Sequence, residues 1–66
     1  MTVSFEYCDV IIASAELSLL PRHEDIIKIW GKEYEVKDYR QEVEIKQKLS
    51  GKKVVIERII VMLKKA

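Results

Sequence analysis

The chain reads as one small, mostly β domain, residues 1–66, with four to five short antiparallel strands curled into a barrel or half-open barrel. Three observations carry that reading. Polar and apolar side chains alternate with period two in residues 2–7, 25–39 and 42–49, and period two sends successive side chains to opposite faces of a strand. Gly31 and Gly51, the only glycines, each sit where one such run gives way to the next, the place a hairpin turn needs them. Finally, 66 residues bury only a modest share of their surface, so a flat sheet would leave one apolar face wet, and curling removes it from water.

Taken in order, Val3, Phe5 and Tyr7 share one face of a first strand. Val10, Ile11 and Ile12 either continue it past a bulge or begin a second strand after a tight turn at Cys8-Asp9. Residues 13–20 change to Ala, Ser, Glu and Leu, which suits a loop or one helical turn, and Pro21 ends any helix there. A hairpin then centres on Gly31-Lys32 as a type II′ turn, pairing Ile29 with Tyr34 and Ile27 with Val36 on one face. Its other face opposes Lys28 to Glu35 and Trp30 to Glu33.

In residues 42–49, Val43, Ile45 and Leu49 face one way, and Glu42, Glu44, Lys46 and Lys48 the other. A turn at residues 50–53 leads into a last strand, 54–63. A register around Gly51-Lys52 opposes Lys46 to Glu57, Val43 to Ile60 and Leu49 to Val54. It also sets Arg58 against Ile45, a mismatch that a bulge or a different loop would relieve. The competing reading of 54–63 is a helix, since Ile56, Ile59, Ile60 and Leu63 make an amphipathic stripe. The β-branched run Val54, Val55, Ile56, Ile59, Ile60 and Val61 favours a strand. The alternative fold is therefore a β-meander carrying a C-terminal helix.

The stretch Leu20-Pro21-Arg22-His23-Glu24-Asp25-Ile26-Ile27-Lys28-Ile29-Trp30-Gly31-Lys32-Glu33-Tyr34-Glu35-Val36 covers a quarter of the chain. It resembles a recurring pattern of small SH3-like barrel proteins of bacteria and phages: a proline, Asp before an apolar strand, Gly-Lys, then Tyr-x-Val. Glu24 stands where that pattern usually has Gly. The resemblance implies an SH3-like barrel and, from its phage side, an accessory or assembly protein in place of an enzyme. The pattern specifies a hairpin and carries no chemistry of its own.

Composition narrows function further. Hydrophobic residues at 48% are ordinary for a globular chain, and the net charge of +1 points to no polyanionic partner. That total conceals net −4 over residues 1–39 and +5 over 40–66, a split that suits self-complementary pairing or a basic surface. One cysteine excludes an internal disulfide, and with one histidine makes no Cys/His zinc site. No cofactor is expected. The apolar stretch near the start lacks a basic segment before it and is broken by Glu16, and no apolar run has the length to cross a bilayer. The expectation is a cytoplasmic chain without a membrane partner.

Candidate chemistry is sparse. Cys8 and His23 would make a nucleophile–base pair only if the fold joined them, and no catalytic-cysteine signature surrounds Cys8. Glu24-Asp25 and Glu33/Glu35 read as solvated carboxylates, because a chain this short has little material for a cleft. No glycine-rich phosphate loop exists. The leading expectation is therefore a non-catalytic interaction or assembly module, binding itself as a homodimer or another protein. Trp30 and the strand face Ile59, Val61 and Leu63 are its contact residues. The alternative is a small barrel that binds nucleic acid, with Lys46, Lys48, Lys52 and Lys53 on phosphates and Trp30 stacking on bases.

Overall fold

A computed structural model describes all residues 1–66. Five strands, β1 (Thr2–Tyr7), β2 (Val10–Glu16), β3 (Ile26–Ile29), β4 (Lys32–Gln47) and β5 (Lys53–Lys65), make one sheet in the order β2-β1-β5-β4-β3. There is no helix: the β-branched run wins, and the C-terminal segment is strand β5. The sheet is mixed, because β1 lies parallel to β5, with Val3 beside Ile59 and Tyr7 beside Leu63. β2 and β3 stay apart as its two edges. The mostly β class thus holds, but the strands are not all antiparallel and the sheet does not close.

Each hairpin follows from the conformation its turn needs. Cys8 and Asp9 both have positive φ, 51° and 64°, and join Tyr7 to Val10 in the geometry of a type I′ turn. Val10, Ile11 and Ile12 therefore begin a second strand and do not continue the first; the register shift beside Phe5 and Glu6 is a separate irregularity within the β1–β2 pairing. In the β3–β4 hairpin the turn residues are Trp30 and Gly31 (φ 52° and 79°), and Ile29 opposes Lys32. The expected Gly31-Lys32 turn is displaced because a type I′ turn prefers its glycine second. Ile27 therefore meets Tyr34, and Lys28 meets Glu33. A displacement by two preserves which side chains share a face.

The β4–β5 register departs further. Lys48 faces Lys52 around Leu49-Ser50-Gly51: the Gly51 amide donates to the Lys48 carbonyl at 2.9 Å, and Gly51 has φ 82°. This is a three-residue loop, a type I turn followed by a left-handed glycine. It shifts the expected pairing by an odd number, which exchanges the faces. Val43 now opposes Glu57, Ile45 opposes Val55, and Arg58 opposes Glu42. The Arg58–Ile45 mismatch disappears.

Val3, Phe5, Ile29, Val36, Val61 and Leu63 form the core on the sheet's inner face. With β2 and β3 at opposite edges, the connection between them must cross that face. Residues 17–25 do so, and Leu17 and Leu20 pack onto the core. The crossing is fastened at several points. Leu17 donates its amide to the Met1 carbonyl at 2.9 Å, the Tyr39 hydroxyl donates to the Pro21 carbonyl, and Glu24 and Asp25 exchange backbone bonds with Val36 at 2.9 Å. Glu24 has φ 71°, the left-handed conformation that glycine adopts most easily.

β5 is the central strand, which corrects the contact face expected of it. Val61 and Leu63 are core residues, covered by β1, β4 and the 17–25 crossing, and offer no surface to a partner. On the outer face Ile60 is also fully buried, flanked by Ser4 on β1 and Arg40 on β4. Arg40 Nη2 reaches across β5 to Glu6 Oε2 at 2.8 Å, pairing a carboxylate that is only 6% exposed. Ser4 and Ser14 hydroxyls lie 2.9 Å apart on the β1–β2 side.

Candidate functional site: the β4–β5 arm

β4 and β5 continue well beyond their neighbours. The last β1 partner on β5 is Ile59, and β3 pairs with β4 only from Lys32 to Glu35. From residue 42 to residue 58 the protein is a bare two-stranded ribbon. A compact chain of this length has a radius of gyration of about 11 Å. Here it is 14.2 Å, with extents of 47 × 23 × 19 Å, and the arm makes the difference.

Directly opposed residues share a face. One face of the arm carries Val43, Ile45 and Val55 beside Glu57, and the other carries Val54 and Ile56 beside Glu44 and Lys46. Leu49 stands fully exposed at the tip, and all six of these apolar side chains are solvent-facing. A lone two-stranded hairpin is marginal in water, and six exposed apolar side chains on it do nothing to shield one another's outer surfaces.

At the arm's root, charges are tied down. Arg58 donates through Nε and Nη2 to Glu42 Oε2 at 2.9 and 2.6 Å, and Arg40 lies 3.2 Å from the other Glu42 oxygen. The Arg58 hydrogen bonds, then the Arg58 and Arg40 charges, hold the Glu42 carboxyl below its ordinary range. With Glu6–Arg40 this makes a ladder running from body to arm across the outer face. Farther out, Lys46 and Glu44 are 3.6 Å apart and well exposed.

The residues singled out in the sequence are distributed unevenly. Ile59 is half-buried where the arm leaves the body. Lys46, Lys48, Lys52 and Lys53 gather at the arm's tip. Trp30, 91% exposed, lies at the opposite end of β4 in its turn, with most of the strand's sixteen residues between it and the tip. Trp30 and the lysines therefore do not form one site. Cys8 is exposed in the β1–β2 turn. His23 Nδ1 is 3.2 Å from the Lys37 carbonyl, and its ring meets Tyr39 edge-on at 4.6 Å; no hydrogen bond links it to Cys8. Asp25 accepts from the Arg22 amide at 2.9 Å, and Glu35 pairs with Lys64 at 2.8 Å, not with Lys28. Glu33 lies exposed opposite Lys28.

Val43, Ile45, Val54, Val55 and Ile56 escape a reading that places every strand side chain in one barrel. The signal for them is length: β1 has six residues and spans only part of the thirteen in β5. No helix is long and apolar enough to cross a membrane, and no three His, Cys, Asp or Glu side chains cluster as metal ligands. Comparison with protein-family models, with characterised proteins and with solved structures finds no match to this chain.

Proposed function

We propose that this protein is a non-catalytic interaction and assembly module that joins another protein chain through its β4–β5 arm. The observation that supports it is the set Val43, Ile45, Leu49, Val54, Val55 and Ile56, exposed on a ribbon that no other part of the chain covers. Apolar surface concentrated on a projecting element marks an association site. Ile59 at the arm's root extends the patch, and Trp30 supplies a separate exposed aromatic at the far end. The small barrel-like assembly proteins that the 20–36 stretch resembles fit the same role.

Hydrogen exchange on dilution tests this. The arm of the lone chain is expected to exchange rapidly while the body around Val3, Ile60 and Val61 stays protected. An arm as protected as the body in a sample that has the mass of one chain would need no partner and would overturn the proposal.

The second reading, nucleic-acid binding, draws on the four lysines at the tip, because a two-stranded β-ribbon fits the DNA major groove. Trp30 is too distant to stack on the same site, which leaves phosphate contacts alone. Binding of an oligonucleotide at low salt, lost at high salt and weakened by Lys52→Glu with Lys53→Glu, is its expected signature. Oligonucleotide binding untouched by that pair of substitutions removes it.

A further inference from the structure

We infer that the arm's occupant is a second copy of this chain, paired antiparallel along the free edge of β4 about a two-fold axis at Ile45. The inference rests on the association reading above and names its partner and register.

The edge is open. From Asp38 to Gln47, β4 has β5 as its only strand partner. Exposed edges are usually blunted by proline, bulges, a covering element or charged side chains; this one carries four charges, Glu42, Glu44, Lys46 and Lys48, but of both signs, so they repel only a partner that sets like against like. Here the sole β4 bulge lies before Asp38, and residues 38–48 contain no proline or glycine. The outer edge of β5 is less available, since Val3 sits beside Ile59 and Met1 and Thr2 lie near Glu57 and Arg58.

The charges on the β4 edge select both the partner and its direction. Glu42-Val43-Glu44-Ile45-Lys46-Gln47-Lys48 is antisymmetric in charge about Ile45. A second copy running antiparallel with Ile45 on the axis places Glu44 opposite Lys46 of the other chain, and Glu42 opposite its Lys48. Symmetry repeats both pairs. Ile45 meets its own copy, and Val43 meets Gln47. Every opposed pair falls on the same face, as the pleat requires. A parallel in-register approach would instead set each carboxylate and each lysine against itself, which is unfavourable. Glu44 and Lys46 are exposed, at 63% and 62%, so both are free to exchange their mutual contact for a partner's. The result is an isologous dimer whose four central strands run β5-β4-β4-β5, giving each arm a third and fourth strand.

Charge reversal tests the register without touching the core. Glu44→Lys alone and Lys46→Glu alone each place like charges opposite one another twice, so each should weaken dimerisation by about tenfold or more. Mixed together, the two variants restore both opposite-charge pairs and should form a heterodimer. The double swap Glu44→Lys/Lys46→Glu should dimerise as the wild type does. In a Cys8→Ser background, Ile45→Cys should cross-link to itself on oxidation, since opposed Cα atoms in such a pair lie about 4.5–5.5 Å apart. Light scattering and non-reducing electrophoresis read both results. Single variants that dimerise as well as the wild type, or a mixture that stays monomeric, overturn the register. A wild type that keeps the 7.8 kDa mass of one chain, with no cross-link, overturns the second copy as occupant. The broader association reading falls separately, on slow exchange in a lone arm.

Discussion

The body and the arm share the strands β4 and β5, yet they treat the apolar residues of those strands in opposite ways. Val61 on β5 is 0% exposed, and Val55, six residues earlier on the same face of the same strand, is 54% exposed. Both have the β-branched side chain that favours a pleated strand. The difference is what lies beside and above them. β1, the Tyr39 side and the 17–25 crossing cover Val61; Val55 has Ile45 across the ribbon and nothing further. Strand formation is therefore a local matter here, whereas stability depends on which segment of the ribbon receives a cover. The body stabilises the chain, and the arm spends its apolar surface on something outside it.

The largest expected contrast comes from placing the same charge in both regions. Val61→Glu buries an unpaired carboxylate in the core and should cost about 3–5 kcal/mol, enough to unfold much of so small a domain. Val55→Glu should leave the fold intact. Chemical denaturation followed by circular dichroism measures both.

Next is the outer face of the body. Arg40→Ala strands the buried Glu6 carboxylate without its partner and should destabilise by about 1–3 kcal/mol, with Glu6→Gln in the same chain restoring part of the loss. Equal stability of Arg40→Ala and the wild type would mean Glu6 reaches water without its partner.

Glycine substitutions sharpen the comparison. Gly31 and Gly51 both have positive φ with open space where a Cβ would sit, so alanine adds backbone strain alone. That strain is about 1 kcal/mol at either position. Gly31→Ala, in the body's hairpin, should lower global stability by that amount. Gly51→Ala should speed exchange in the arm and leave global unfolding unchanged.

The smallest effect is pH-dependent and lies at the boundary. Glu42 is held below its ordinary value by the Arg58 hydrogen bonds. A carboxylate with a depressed folded-state value contributes stability above its unfolded value, and that contribution is lost as pH falls through the folded value. The arm's root should therefore loosen on acidification below pH 4.5, the ordinary value. Lys64, raised by its hydrogen bond to Glu35, behaves oppositely: its contribution is complete below its ordinary value and is lost as pH rises through the raised one. Amide exchange at Arg58 and at Lys64 across pH reports each.

Alternation made the strands legible, because period two survives in any register. Pairing was harder to read. The odd shift between β4 and β5 arises from a three-residue loop, and a Gly-Lys pair in the sequence signals a two-residue one equally well. The parallel contact of β1 with β5 joins residues 56 positions apart with no turn between them to announce it. Without that contact, Val61 and Leu63 look like spare surface, and with it they become core. The arm was hidden for the same reason: Val43, Ile45 and Val55 carry a core-like pattern, and only the shortness of β1 leaves them bare. The four tip lysines were visible in the sequence, but their distance from Trp30 follows from the sixteen-residue length of β4.

The most direct measurement is sedimentation together with denaturation of Val43→Ser/Ile45→Ser/Val55→Ser against the wild type. The wild type should be heavier than the 7.8 kDa of one chain and the variant should have that mass, with unfolding free energies of the isolated chains within about 0.5 kcal/mol of each other. A variant that unfolds more easily by several kcal/mol while keeping the wild-type mass would contradict the association reading, because the arm's apolar side chains would then belong to the fold.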